Sequence, residues 1–299
     1  MPRNAIPILI GALLLGGTLF PYGSGIAADD ASTKEVMVRV VTKWDAPWYE
    51  NCSGSQRDWW DDMAQAWYNA ITNANAAPNG HGAAAWTAIE FKHNGSIVDS
   101  DFVDTEIWWG NDSNKIDKVD ACMIALHGGN DLWNHRWYGR VRKDENGFGN
   151  CNAYQGDIEL GDEDLEFLHL SSCYSMDEED WWDEWNSTFD HLHQIDGFHG
   201  EMWIGASYPA RYKDFADDAF WMSIADSWID NLYVNDASGT DDECPVARNV
   251  GSNANDSLTR MNNERYNNVL TDPPGNGSAR NHRVRYVVGC DPKGKGALQ

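Results

Sequence analysis

VDACMIALHGG, residues 119–129, and LEFLHLSSC, residues 165–173, are two short apolar runs that each end in a residue able to do chemistry. The first is nearly continuous in apolar character from Ala121 to Leu126 before it meets His127-Gly128-Gly129, the pattern of a strand covered on both faces. The second ends at Ser171-Ser172-Cys173. Working outward, EVMVRVVT (35–42), TAIEF (87–91), HLHQIDGF (191–198) and HRVRYVVGC (282–290) read as further strands. Between them, DWWDDMAQAWYNAIT (58–72) spaces Trp59, Met63, Trp67 and Ile71 as one helical face. YKDFADDAFWMSIADSWIDNLY (212–233) does so with Phe215, Ala219, Met222, Ala225, Trp228 and Leu232. EEDWWDEWNSTF (178–189) opens with acids and reads as a third helix, while NHRWYGRVRK (134–143) reads as extended or a hairpin. Strands separated by helices predict an α/β fold, a mostly parallel central sheet flanked by helices in three layers. Ligands in such sheets sit outside the carboxyl ends of the strands, near a point where the strand order reverses.

The chain has 299 residues, with 47 Asp+Glu against 22 Lys+Arg and a formal net charge of -25 at pH 7. That surface repels nucleic acid and anionic membranes, so neither is expected as a partner. Hydrophobic residues make up 42%, including 16 Trp, enough for a sizeable core. Residues 1–28 place Arg3 ahead of an apolar run from Ile6 to Phe20 and then small residues to Ala28, the pattern of a secretory signal peptide. Residues 29–299 then form a single secreted domain with a flexible Gly/Lys tail, and no membrane contact is expected once the signal is removed. In an oxidising compartment the six cysteines lead first to disulfides. Cys52, Cys151, Cys244 and Cys290 lie in polar, loop-like surroundings and are expected to form two bridges, with the pairing left open. Cys122 reads as a buried thiol and Cys173 as free. Asn-X-Ser/Thr sequons stand at Asn51, Asn94, Asn111, Asn186, Asn255 and Asn276.

If the strands ending at Leu126 and Leu170 are neighbours, about 4.8 Å apart, an imidazole and a thiol emerge at one sheet edge. Nucleophilic catalysis needs that pair together with backbone N–H groups where an oxyanion forms. On this reading Cys173 attacks, His127 protonates the leaving amine, and the amides of Gly128 and Cys173 hold the oxyanion. The acids after the cysteine, Asp177 and Glu178 above all, raise the thiol pKa unless they bind a cationic substrate group.

These residues resemble the caspase-like (clan CD) cysteine peptidases: a strand ending in His-Gly and a second ending in a small residue and Cys, 46 residues apart, near the roughly 50 of caspases. From about Val36 to Trp228 the chain is more closely similar to an uncharacterised family of secreted caspase-like domains of unknown function. The resemblance implies a caspase-like fold, a peptide or protein substrate, a Cys173/His127 dyad and no cofactor. The caspase signature Gln-Ala-Cys-Arg-Gly is replaced by SSCYS, so aspartate specificity does not carry over. The alternative is a catalytically inactive domain of that fold that binds an extracellular protein or glycan.

Other patterns carry less. His191, His193 and His199 could supply zinc ligands, but no Cys or acid is fixed to complete the set, and no metal is expected. The tryptophans could stack on sugars, although most fall on helical faces that core packing explains first. No GxSxG elbow, P-loop or HExxH is present, and GFGNC (147–151) lacks the third Gly of a dinucleotide fingerprint.

Overall fold

The computed structural model describes residues 33–44, 52–73, 85–94, 97–131, 136–142, 151–178, 184–236 and 241–299. The expected signal peptide, residues 1–28, lies outside them. So do Trp181 and Trp182.

The expected mostly parallel α/β sheet is present. Strands β1 (Glu35–Val40), β2 (Thr87–His93) and β3 (Ala121–Ala125) come first, followed by β4 (Gly128–Asp131), β5 (Arg136–Arg140) and β6 (Asn152–Tyr154). Then come β7 (Phe167–Ser171), β8 (Gln194–His199), β9 (Cys244–Gly251) and β10 (Asn281–Tyr286). The large sheet runs β10-β9-β8-β7-β3-β1-β2, while β4-β5-β6 form a small antiparallel sheet, as the extended reading of residues 134–143 anticipated. β2, β1, β3, β7 and β8 are parallel, and β9 runs antiparallel to both β8 and β10. The chain steps outward from β1 to β2 and returns on the other side of β1 with β3, so the strand order reverses between β1 and β3.

Helices α1 (Trp59–Thr72), α2 (Tyr208–Asp218), α3 (Ile224–Leu232) and α4 (Ala254–Asn263) lie against the sheet. His169 of β7 shows how: its ring meets Trp67 of α1, Phe215 of α2 and Trp228 of α3. A buried imidazole needs partners, and His169 has Asp196 at 2.8 Å on Nδ1 and the Tyr266 hydroxyl at 2.7 Å on Nε2. On the opposite face, Lys92 reaches Asp101 in a 3₁₀ turn (Asp99–Asp101) at 3.2 Å, so short turns and the small sheet make the third layer.

Three expectations change. The helix expected over 212–233 breaks after Asp218 because Ser223 is extended and caps α3, its hydroxyl accepting from Asp226 N–H. Of the helix expected over 178–189, residues 179–183 lie outside the described ones; a 3₁₀ turn stands at Glu184–Asn186, and Phe189 joins a β-bridge to Leu160. There the Asn186 backbone carbonyl accepts from Arg280 and its side chain from Arg248, so the chain is held by tertiary bonds instead of helical ones. The C-terminal segment expected to be a flexible tail is docked: Leu298 is buried, its N–H donates to Cys290 O, and Gly289 N–H donates to Leu298 O.

The two bridges form as Cys52–Cys151 and Cys244–Cys290, leaving Cys122 buried and Cys173 half-buried as free thiols. Among the described residues no helix is long and apolar enough to cross a membrane.

Candidate active site

β3 and β7 are neighbours in register, with Ala125 opposite Ser171 and Leu126 N–H reaching Ser171 O at 3.4 Å. His127 and Cys173 each lie two residues beyond that last pair. Both line one cleft of about 480 Å³, together with Arg57, Trp60, Gly128, Tyr174 and residues 201–204. The cleft opens at the carboxyl end of the sheet, next to the point where the strand order reverses.

The loop after β1 and the first turn of α1 build the histidine side. Trp44 and Trp60 each hold the His127 ring at 4.8 Å between centroids, tilted and edge-on respectively. His127 Nε2 lies 2.8 Å from the Ser55 carbonyl oxygen, which can only accept, so Nε2 carries the proton and Nδ1 the lone pair. Ser55 is fixed by the Cys52–Cys151 bridge and by Arg140, whose Nε donates to Ser53 O at 2.8 Å. Burial lowers the His127 pKa; the Ser55 carbonyl opposes this, and the positive charges of Arg57 and Arg140 add to it. The ring is therefore a neutral base at neutral pH.

The cysteine side depends on a tight turn. Tyr174 adopts φ 59°, an uncommon conformation for a non-glycine residue, and its N–H is locked to Gly200 O at 2.7 Å. Ser175 Oγ donates to Ser172 O and accepts from Phe198 N–H of β8, which secures the turn from below. Cys173 Sγ lies 3.9 Å from Met202 O. Burial chiefly, with the Glu201 and Glu243 carboxylates adding to it, pushes the thiol up to about 11.

Gly128 is glycine for a steric reason. A Cβ there would lie 2.2 Å from Cys173 O and 2.2 Å from Ser172 Oγ, so any side chain would force the loops after β3 and β7 apart.

Asp177 and Glu178, the residues expected to meet a cationic substrate group, do not line the cleft. Asp177 is fully buried: it accepts from Gly200 N–H at 2.9 Å and Asn130 Nδ2 at 3.2 Å, and pairs with Lys295 at 2.8 Å and His199 at 3.4 Å. Burial raises its pKa, but the bonds from His199, Gly200 and Lys295 outweigh that and hold the carboxyl below its ordinary value. Glu178 is exposed and belongs to a different surface depression with His282 and Arg283. The acids whose charge acts on the thiol are Glu201 and Glu243, of which Glu201 lines the cleft. Sequence reading missed them because Glu201 lies just after β8 and Glu243 just before β9, so the sheet, not local sequence, brings them to Cys173.

His191, His193 and His199 do not converge. His193 bonds Glu264 at 2.6 Å, His199 bonds Gly296 O at 2.9 Å, and His191 lies beside Asp190. Among the described residues the exposed tryptophans are Trp59, Trp108 and Trp203, and of these only Trp203 lines the cleft.

Residues 48–286 match the family model described as a domain of unknown function, DUF6345. The chain belongs to the DUF6345 family. No curated protein matches it. The matched span includes His127, Cys173, Glu201 and β2 to β10, and leaves out β1 at one end and Cys290 with the docked segment after it at the other.

Proposed function

We propose that this DUF6345 chain is a secreted cysteine hydrolase of peptide bonds, with a fold like that of the caspase-like peptidases. The observation that carries the reading is the pairing of β3 with β7, which delivers His127 and Cys173 to one cleft. The two disulfides support an oxidising compartment.

In this reading a peptide carbonyl enters between the two loops. Because the thiol is pushed up and the imidazole down, the resting pair is uncharged. Cys173 Sγ bonds to the carbonyl carbon as its proton passes to His127 Nδ1, and the C=O electron pair moves to oxygen. The N–H groups of Gly128 and Cys173 are the proposed donors to that oxyanion. The tetrahedral adduct collapses, the C–N bond breaks, and His127 Nδ1–H protonates the departing amine. Water, deprotonated by the same nitrogen, then releases the acyl group from sulfur. The Ser55 carbonyl accepts from Nε2–H throughout and stabilises the transient imidazolium.

The high thiol pKa favours one competing reading, a silent domain that binds a protein partner through the same cleft. Incubation with a fluorogenic peptide library separates the two. Turnover that is abolished by Cys173→Ala and by His127→Ala supports the hydrolase. No cleavage of any peptide, together with no covalent labelling by a peptidyl acyloxymethyl ketone, leaves the binding module.

A further inference from the structure

The cleft contains a cation site that the chain fills with its own lysine. Lys293 Nζ lies 3.1 Å from Glu201 Oε2 and 5.5 Å from the Trp203 ring centroid. Tyr174 OH donates to Glu201 Oε1 at 3.4 Å, and Trp203 Nε1 donates to Asp241 O at 3.2 Å, so the carboxylate and the ring are both held in place. A carboxylate facing an exposed indole is suited to an ammonium or guanidinium group. Met202, the residue after Glu201, brings its carbonyl 3.9 Å from Cys173 Sγ, so the site lies one residue from the nucleophile.

The lysine is built to leave. Its backbone is fixed, with Glu201 N–H donating to Lys293 O at 2.9 Å and the Cys244–Cys290 bridge anchoring the segment three residues earlier. Its side chain is half exposed, so the ion pair is partly solvated and weak. Rotation of that side chain alone empties the site.

Resting on the hydrolase reading, we propose that the Glu201–Trp203 site receives a Lys or Arg side chain of the substrate, on the acyl side of the cleaved bond, and that Lys293 is its internal competitor. The net charge of -25 draws basic peptides toward the protein. Arg57 and Lys293, the two basic residues of the cleft, could instead receive an acidic side chain, and the sign of the Lys293→Ala effect decides between them.

The test uses the full-length Cys173→Ala protein, so that binding is read without chemistry. Calorimetric titration with acetyl-arginine methylamide is expected to show binding that tightens about twofold to fivefold on adding Lys293→Ala, the weight of one weak ion pair. Glu201→Gln and, separately, Trp203→Ala are expected to abolish it, with circular dichroism confirming that each variant is folded. The uncharged acetyl-citrulline methylamide is expected not to bind. Equal binding of citrulline and arginine, indifference to Glu201→Gln, or weaker binding with Lys293→Ala each overturns the proposal. So does tight binding of acetyl-aspartate methylamide. Cation binding as described with no peptide cleaved by the Cys173-containing protein would remove the hydrolase and leave the cation site. Cleavage without preference for Lys or Arg would do the reverse.

Discussion

Iodoacetamide alkylation of Cys173 tests the resting state of the dyad directly. Burial and two carboxylates move the thiol from 9.0 to about 11, so at pH 7 the thiolate fraction falls by about a hundredfold relative to an ordinary thiol. The more basic thiolate is the better nucleophile, and a Brønsted slope of about 0.45 returns about eightfold over two pH units. The net expectation is a rate about tenfold below that of a small free thiol, rising about tenfold per pH unit well past neutrality. Mass spectrometry of the peptide containing Cys173, after timed exposure across a pH series, measures it. Cys122, fully buried and pushed up to about 12, is the internal control that stays unmodified. A rate already level between about pH 6 and about pH 8 would mean that a thiolate–imidazolium pair exists at rest. The neutral-dyad argument would then be wrong, and with it the placement of the proton transfer within the attack itself.

Other outcomes follow from the same geometry. Asp177→Ala strips the partner from Lys295 and His199 in a buried network and is expected to cost about 3–5 kcal/mol in urea unfolding. Because the Asp177 pKa is lowered in the folded state, its stabilisation is fully present above about pH 4 and is lost as pH falls through the folded value, so the variant shows a shallower acid transition. His193 behaves oppositely. Burial lowers its pKa, but Glu264 and Asp272 raise it further, so its contribution is full below about pH 6.5 and disappears as pH rises through the folded value; His193→Gln removes that slope from a Tm-versus-pH curve. Replacing both Cys52 and Cys151 by Ala opens a loop with a sequence separation of 99 and is expected to cost about 4.7 kcal/mol on the chain-entropy account, read from denaturant midpoints.

What the sequence revealed tracks what local pattern encodes. The strands holding His127 and Cys173 were legible because strands buried on both faces leave unbroken apolar runs, and the division of the cysteines was legible from their polar or apolar neighbours. Strand β9 was hidden by Pro245, Arg248 and Asn249, residues that suggest a loop until Arg248 is seen to reach Asn186 across the layer. Helix α4 was hidden because only Ser257, Arg260 and Met261 are buried, so no apolar stripe marks it; its signal is the Asn253 cap. The break before α3 did have a signal, Ser223 with Asp226 three residues on. Ser55, Glu201, Trp203 and Lys293 have none, since each reaches the cleft through tertiary contacts that no periodicity records.

The two covalent bridges share an arrangement. Neither links one parallel strand to another; each secures a loop that frames the opening, one beside the imidazole and the other beside the sulfur. Thiol reductants would thus leave the scaffold's hydrogen-bonded ladder in place while loosening both jaws. On the proposed hydrolase reading, a newly made molecule in a reducing cytosol would hold its cleft unassembled, and passage to an oxidising compartment would be the step that arms it.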